Sequence, residues 1–220
     1  MKLYLDSADA QAWRLPAGCP PVQGVTTNPT LVRQAGLPVS LPAYLGLLQA
    51  VADQGLPELM LQLPSADPAQ ASDWAQTLRE QAQRLQLGLT LKLPCHPDWS
   101  PAIVAVQQCG LPVLLTGLSN PVQLLWARSL GAAYVAPYIG RLAADGRDVW
   151  SFMQACVAVQ AAGPALLAAS IKSADVLTRL IACGAAAATL PPANLVVWAS
   201  DRLTDAAIEQ FERDSRDSLG

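Results

Sequence analysis

Eight short apolar runs punctuate the chain: KLYLDS from residue 2, GVTTNP from 24, ELMLQLP from 58, LTLKLP from 89, PVLLTGL from 112, YVAPYIG from 134, ALLAASIK from 165 and AAATLP from 186. Each is too short for a helix and gives way to Pro, Gly or Ser, the pattern of strands buried on both faces. Between them lie stretches with helical periodicity, among them PAQASDWAQTLREQAQRLQ from Pro68, PVQLLWARSLGA from Pro121 and SADVLTRLIACGA from Ser173. Several open on Ser, Asp or Pro, as helix starts prefer. The regular alternation, at a mean spacing of roughly 26 residues, predicts an α/β fold, a (β/α)₈ TIM barrel near its lower size limit. A doubly wound open sheet is the fallback; against it, no GxGxxG follows the first run, and such a sheet more often has five or six strands. No linker divides the chain, so residues 1–220 read as one domain ending in an amphipathic helix over about 203–217.

One of these runs carries a fault. In GLTLKLPCHP, residues 88–97, Leu89, Leu91 and Leu93 alternate with Thr90 and Lys92 before Pro94 and Pro97 stop the pairing. An amine therefore sits near the end of a buried strand. The chain holds three lysines (Lys2, Lys92 and Lys172) against eleven arginines, so plain positive charge has another supplier, and a group that can lose its proton is what lysine alone adds.

In a barrel, polar residues at the carboxyl ends of the strands converge on one mouth. Here they are Asp6, Thr26 with Asn28, Gln62, Lys92, Thr116, Tyr138 with Arg141, and Ser170 with Lys172. A lysine held inside a barrel is partly desolvated, which leaves a nucleophilic amine near neutral pH, the requirement for a Schiff base with a carbonyl compound. The plainer alternative is a strand-end lysine that snorkels to solvent. Asp6 would orient that amine or a substrate hydroxyl, or else be the turn-forming Asp of a helix beginning near Ala8. Arg141, Ser170 and Lys172 fall after strands six and seven, where barrels often hold a phosphate; the alternative is ordinary solvated charge.

Composition narrows the field. A formal charge of -3 and a pI near 5.0 leave no basic stripe for nucleic acid. Five cysteines, odd in number and without CxxC spacing, read as reduced thiols and point to the cytoplasm. No run reaches the roughly 18 apolar residues of a membrane span, so a protein with no membrane partner is expected. His96 is the single histidine, and between Cys95 and Pro97 it reads as a loop residue with a lesser claim to acid–base work. Without a GxSxG, Walker loop, HExxH or paired carboxylates at ligand spacing, no metal or other cofactor is expected. Trp74, Trp126 and Trp150 fit barrel-to-helix or subunit packing.

With those residues placed, the chain resembles the small transaldolase family, and within it most closely the fructose-6-phosphate aldolases. The matching segments are LYLDSA, GVTTNPTLV, LKLP, AAYVAPYIGRL, LLAASIKS and AAATLP, followed by the DAAIEQFERD tail. The resemblance implies the same barrel, a Schiff base on Lys92, and Asp6, Thr26 and Asn28 at the dihydroxyacetone hydroxyls and the amine. It places Arg141, Ser170 and Lys172 at the phosphate end, and implies a homo-oligomeric ring, a pentamer or decamer. Members that transfer the three-carbon unit typically carry Glu on the third strand, Phe after the sixth-strand proline, and Asn two residues before the fifth-strand threonine. Here Gln62, Tyr138 and Leu114 stand at those places, which leans toward a cofactor-free class I aldolase acting on a sugar phosphate and a dihydroxyacetone-type ketone, with Tyr138 moving a proton through a water held by Gln62 and Thr116. Transaldolase is the alternative. The CHPDWSPAI stretch after Lys92 departs from the family's usual Thr-x-Glu-Gly, so an altered loop is expected beside the nucleophile.

Overall fold

The computed structural model describes residues 1–219. Eight strands pair in parallel and in sequence order, the last closing on the first. They are β1 (Lys2–Asp6), β2 (Gly24–Thr26), β3 (Glu58–Gln62), β4 (Gly88–Pro94), β5 (Val113–Thr116), β6 (Tyr134–Ala136), β7 (Ala165–Ala168) and β8 (Ala187–Leu190). The (β/α)₈ barrel expected from the alternation of apolar runs is the fold. β4 runs through Pro94, so Lys92 sits two residues before its end, and Pro94 still stands in register with Thr116 of β5.

Helices follow every strand but the first: α1 (Pro29–Gln34), α2 (Leu41–Asp53), α3 (Pro68–Arg84), α4 (Ser100–Gln108), α5 (Pro121–Ser129), α6 (Ile139–Ala144), α7 (Val149–Val159), α8 (Ala174–Cys183), α9 (Pro192–Trp198) and α10 (Arg202–Leu219). The helix expected near Ala8 is replaced by turns. Pro16, Pro20 and Pro21 deny that segment a helical ladder, and buried Trp13, whose Nε1 donates to the Ser7 carbonyl at 3.2 Å, pins it to the barrel instead. Asn28, Ser40, Asp67, Asn120 and Ser173 each cap the helix they precede, and such a cap contributes about 1 kcal/mol. The tail helix matches its expected position.

Two apolar clusters follow from the period of two along each strand. Outward side chains such as Leu5, Leu59, Leu61, Leu91, Leu93 and Leu115 pack under the helices, together with partly buried Trp74, Trp126 and Trp150. Inward ones, Tyr4, Met60, Leu114, Ala136, Leu167 and Ala187, fill the barrel. Below that plug Glu58 accepts hydrogen bonds from Tyr4 at 2.9 Å and Thr90 at 2.8 Å, closing the amino-terminal end. Two residues above it, the same inward parity places Asp6, Gln62 and Lys92 at the carboxyl mouth.

Candidate active site

A cavity of about 450 Å³ opens at that mouth, walled by Asp6, Asn28, Thr30, Gln62, Lys92, Tyr138, Arg141, Ser170, Lys172 and Thr189 among others. Lys92 is at its floor and only 6% exposed, so it does not snorkel to solvent. Its Nζ donates to the Thr27 carbonyl at 2.9 Å. Burial holds its pKa below the usual lysine value, with the Asp6 charge pulling the other way. Asp6 mirrors this: burial raises its carboxyl, while Lys92, a hydrogen bond from Thr26 and Lys172 oppose the rise. Burial thus pushes both groups toward their neutral forms, and a neutral amine is a nucleophile. Leu114 stands in register with Lys92 on the neighbouring strand and is fully buried, adding to that desolvation.

Asp6 is fixed from below. Thr26 Oγ1 donates to Asp6 Oδ1 at 2.9 Å and lies 2.6 Å from Thr189 Oγ1. Because the single Thr26 proton goes to the carboxylate, Thr189 is the donor of the second bond. Thr26 therefore does not line the cavity; it supports the residue that does. Asn28 commits its side-chain oxygen to the Thr30 and Leu31 amides at 3.0 and 3.1 Å, capping α1 and leaving its NH₂ as the side chain's uncommitted polar group at the cavity wall. Gln62 is held through its backbone, whose carbonyl accepts from buried Tyr44 at 2.8 Å.

On the opposite wall Thr116 Oγ1 donates to the Tyr138 hydroxyl at 2.6 Å, and Thr116, like Thr26, stands behind the lining. Thr116 and Tyr138, two of the three side chains expected to share a proton path with Gln62, are thus bonded directly to each other. The Arg141 guanidinium lies 4.5 Å over the Tyr138 ring, a cation–π contact. Beyond it Ser170 adopts a left-handed φ of 60°, and Gly140 packs so closely that a Cβ there would fall 2.9 Å from the Ser170 carbonyl and hydroxyl and 3.2 Å from Lys172 Cε. Arg141, Ser170 and Lys172 so form one cationic corner of the cavity.

Ten sequence-predicted residues are thus gathered at one barrel end, eight on the cavity wall and two behind it. Thr189 was missed because it hides in an alanine run; its signal was the inward parity it shares with Ala187. None of the CHPDWS residues lines the cavity. His96 is exposed, caps a short 3₁₀ turn over Pro97–Trp99, and lies 3.5 Å from Asp98, outside the cavity lining. Among the described residues no group of His, Cys, Asp and Glu side chains is arranged to hold a metal.

The structure is a (β/α)₈ barrel whose mouth brings a desolvated lysine together with an acid, a phenol and a cationic corner. Residues 3–219 match the family model for transaldolase/fructose-6-phosphate aldolase, and the chain belongs to that family. Membership makes it an enzyme of the class I aldolase and transaldolase kind, with sugar phosphates as its substrate class. Among solved structures, the barrel is similar to 3-hexulose-6-phosphate synthase from Salmonella typhimurium, with a TM-score of 0.63 at 13% identity over 90% of this chain and 95% of that one. A second 3-hexulose-6-phosphate synthase gives a TM-score of 0.61 at 16% identity, covering 90% of this chain and 96% of that one. A mandelate oxidase variant with an FMN adduct gives 0.56 at 19% identity over 88% of this chain, which spans 61% of the oxidase. At these identities the likenesses report the fold alone.

Proposed function

We propose that this protein is a class I aldolase that cleaves and forms fructose 6-phosphate, with free dihydroxyacetone and glyceraldehyde 3-phosphate as the other partners. The observation that carries the reading is the amine of Lys92, desolvated at the cavity floor and flanked by Asp6 and Leu114. In cleavage the amine adds to the ketone and loses water; the resulting iminium draws in the electron pair of the adjacent carbon–carbon bond, and the departing carbon leaves as an aldehyde. The hydroxyl on that carbon must give up its proton, and Tyr138 is the wall group suited to exchange it. Because the Tyr138 oxygen accepts from Thr116, its own O–H is directed elsewhere, which supports a role on the cavity side. Protonation of the enamine and hydrolysis of the imine then return Lys92. Arg141, Ser170 and Lys172 would hold the phosphate, and Asp6 and Asn28 the hydroxyls of the three-carbon unit.

A second reading is transaldolase, in which the enamine waits for a sugar-phosphate acceptor. Gln62, Leu114 and Tyr138 favour the first, since an amide and a phenol can each both donate to and accept from a water, where a carboxylate only accepts and a phenyl ring does neither. Absence of a metal or organic cofactor, a homo-oligomeric ring and a cytoplasmic setting belong to the same proposal; the five cysteines are free thiols, which suits a reducing compartment. The test is a coupled assay for free dihydroxyacetone released from fructose 6-phosphate. Release without any acceptor supports the aldolase; product formed only when erythrose 4-phosphate is present overturns it in favour of transfer.

A further inference from the structure

The loops that follow β4 and β5 leave the barrel beside the two halves of the site: Cys95 is three residues past Lys92, and Ser119 three past Thr116. The Cys95 amide still donates to the Thr116 carbonyl at 2.9 Å, and beyond that last ladder bond the two loops meet on one side chain. Gln123, in the first turn of α5, accepts through Oε1 from the Ser119 amide at 2.8 Å, the Ser119 hydroxyl at 3.2 Å and Asn120 Nδ2 at 3.1 Å. Its Nε2 donates to the Cys95 carbonyl at 2.9 Å, and the Cys95 thiol in turn lies 3.6 Å from the Gln123 carbonyl. The orientation of the carboxamide is dictated by its partners, because a flip would set donor against donor at Ser119 and acceptor against acceptor at Cys95. The tie continues to a third loop. Arg147 donates to the Ser119 carbonyl at 3.3 Å and pairs with Asp145 at 2.8 Å, at the end of the helix that carries Arg141.

We propose that Gln123 is a positioning residue of the reaction, which acts through the β4 and β5 loops to hold Lys92 and the Thr116–Tyr138 pair at a fixed separation. The inference rests on the aldolase and transaldolase chemistry proposed above. The oxygen half of the carboxamide is ordinary helix capping, which any α5 would need. The nitrogen half is different: it crosses to another loop and contributes nothing to the cap. A misplacement of about 1 Å between reacting groups costs a factor of up to about a hundred in rate, so loss of the crossing bond should be read in turnover more than in binding.

Gln123→Glu separates the halves, since it keeps the capping oxygens and sets a carboxylate oxygen against the Cys95 carbonyl. Gln123→Met, neutral and of similar size, removes both. Three readouts are taken on the full chain: the thermal midpoint, kcat and KM for the reaction found, and the fraction of sites trapped by borohydride with dihydroxyacetone. The expected result for Gln123→Glu is a midpoint lowered only by the one acceptor-against-acceptor contact at Cys95, roughly tenfold lower kcat per trapped site, and KM within about threefold. Gln123→Met should match that turnover loss and also melt lower. Parental turnover per trapped site in both variants overturns the positioning role, and so does a loss confined to KM. If the parent itself traps no ketone, the functional reading fails and this inference with it, an outcome distinct from a trapping parent whose variants turn over normally.

Discussion

The Thr116 hydroxyl donates to the Tyr138 hydroxyl across 2.6 Å, so a phenol two residues past strand six is oriented by an alcohol of strand five. A phenol whose oxygen already accepts has its proton directed to another partner, and removing either hydroxyl tests whether that proton matters. Tyr138→Phe is expected to lower acceptor-free release of dihydroxyacetone by about a hundredfold or more, the usual contribution of a placed acid–base group, while transfer to erythrose 4-phosphate falls much less. Thr116→Val should cost release only about tenfold, because the phenol is kept and only its aim is lost. Parallel assays for free dihydroxyacetone and sedoheptulose 7-phosphate separate the two; equal losses in both would deny Tyr138 its role in release.

The coupling of Asp6 to Lys92 gives a pH prediction with a definite sign. Burial lowers the Lys92 pKa and the Asp6 charge raises it, so Asp6→Asn removes the influence that raises it. Since the neutral amine attacks, imine formation increases as pH rises through that pKa, and the midpoint of borohydride trapping against pH should lie below the ordinary lysine value in the parent and lower still in Asp6→Asn. A midpoint that moves up in the variant contradicts the assignment. The same substitution removes a carboxyl whose pKa burial raises, so above that pKa the ionised parent carries a cost the variant lacks. The variant should melt no lower than the parent.

At the cationic corner, Arg141→Ala should weaken use of glyceraldehyde 3-phosphate by about 2 kcal/mol in kcat/KM, the order of a hydrogen bond to a charged group, with a smaller effect on unphosphorylated glyceraldehyde. Gly140→Ala tests the same corner without touching a charge. Its added methyl would press on Ser170 and Lys172, and the selective loss on phosphorylated substrate should recur. An equal loss on both aldehydes would make the corner structural.

Much of this arrangement was legible in the chain because a parallel barrel imposes two simple rules. Strands buried on both faces appear as apolar runs, and inward parity at their ends selects Asp6, Gln62 and Lys92 as one layer. What escaped had physical reasons. Pro16, Pro20 and Pro21 replaced the first expected helix by turns held through Trp13, a contact that no periodicity announces. Thr26 and Thr116 face inward as expected, yet their hydroxyls are taken by Asp6 and Tyr138, so parity fixed their direction and not their depth. The Gln123 tie spans 28 residues of sequence to reach Cys95, and only the folded loops bring the two together.

The closed end of the barrel supplies a stability prediction. Gly24 has φ 155° and sits so close to strand three that a Cβ would fall 2.1 Å from the Glu58 carbonyl oxygen. Backbone is the obstacle, so no rotamer relieves it. Gly24→Ala should destabilise the fold by about 3 kcal/mol or more, seen as a lowered midpoint in thermal unfolding; a midpoint unchanged from the parent would mean that strands two and three separate more easily than their packing indicates.

Everything proposed for the site turns on the amine at its floor, and the most direct measurement is the mass of the peptide that contains it. Borohydride reduction in the presence of dihydroxyacetone should add to the peptide bearing Lys92 the mass of one ketone less one oxygen, since water leaves as the imine forms and two hydrogens enter on reduction, and Lys92→Met should abolish both that label and turnover. A label on Lys172 or Lys2 instead, or turnover that survives in Lys92→Met, would contradict the account.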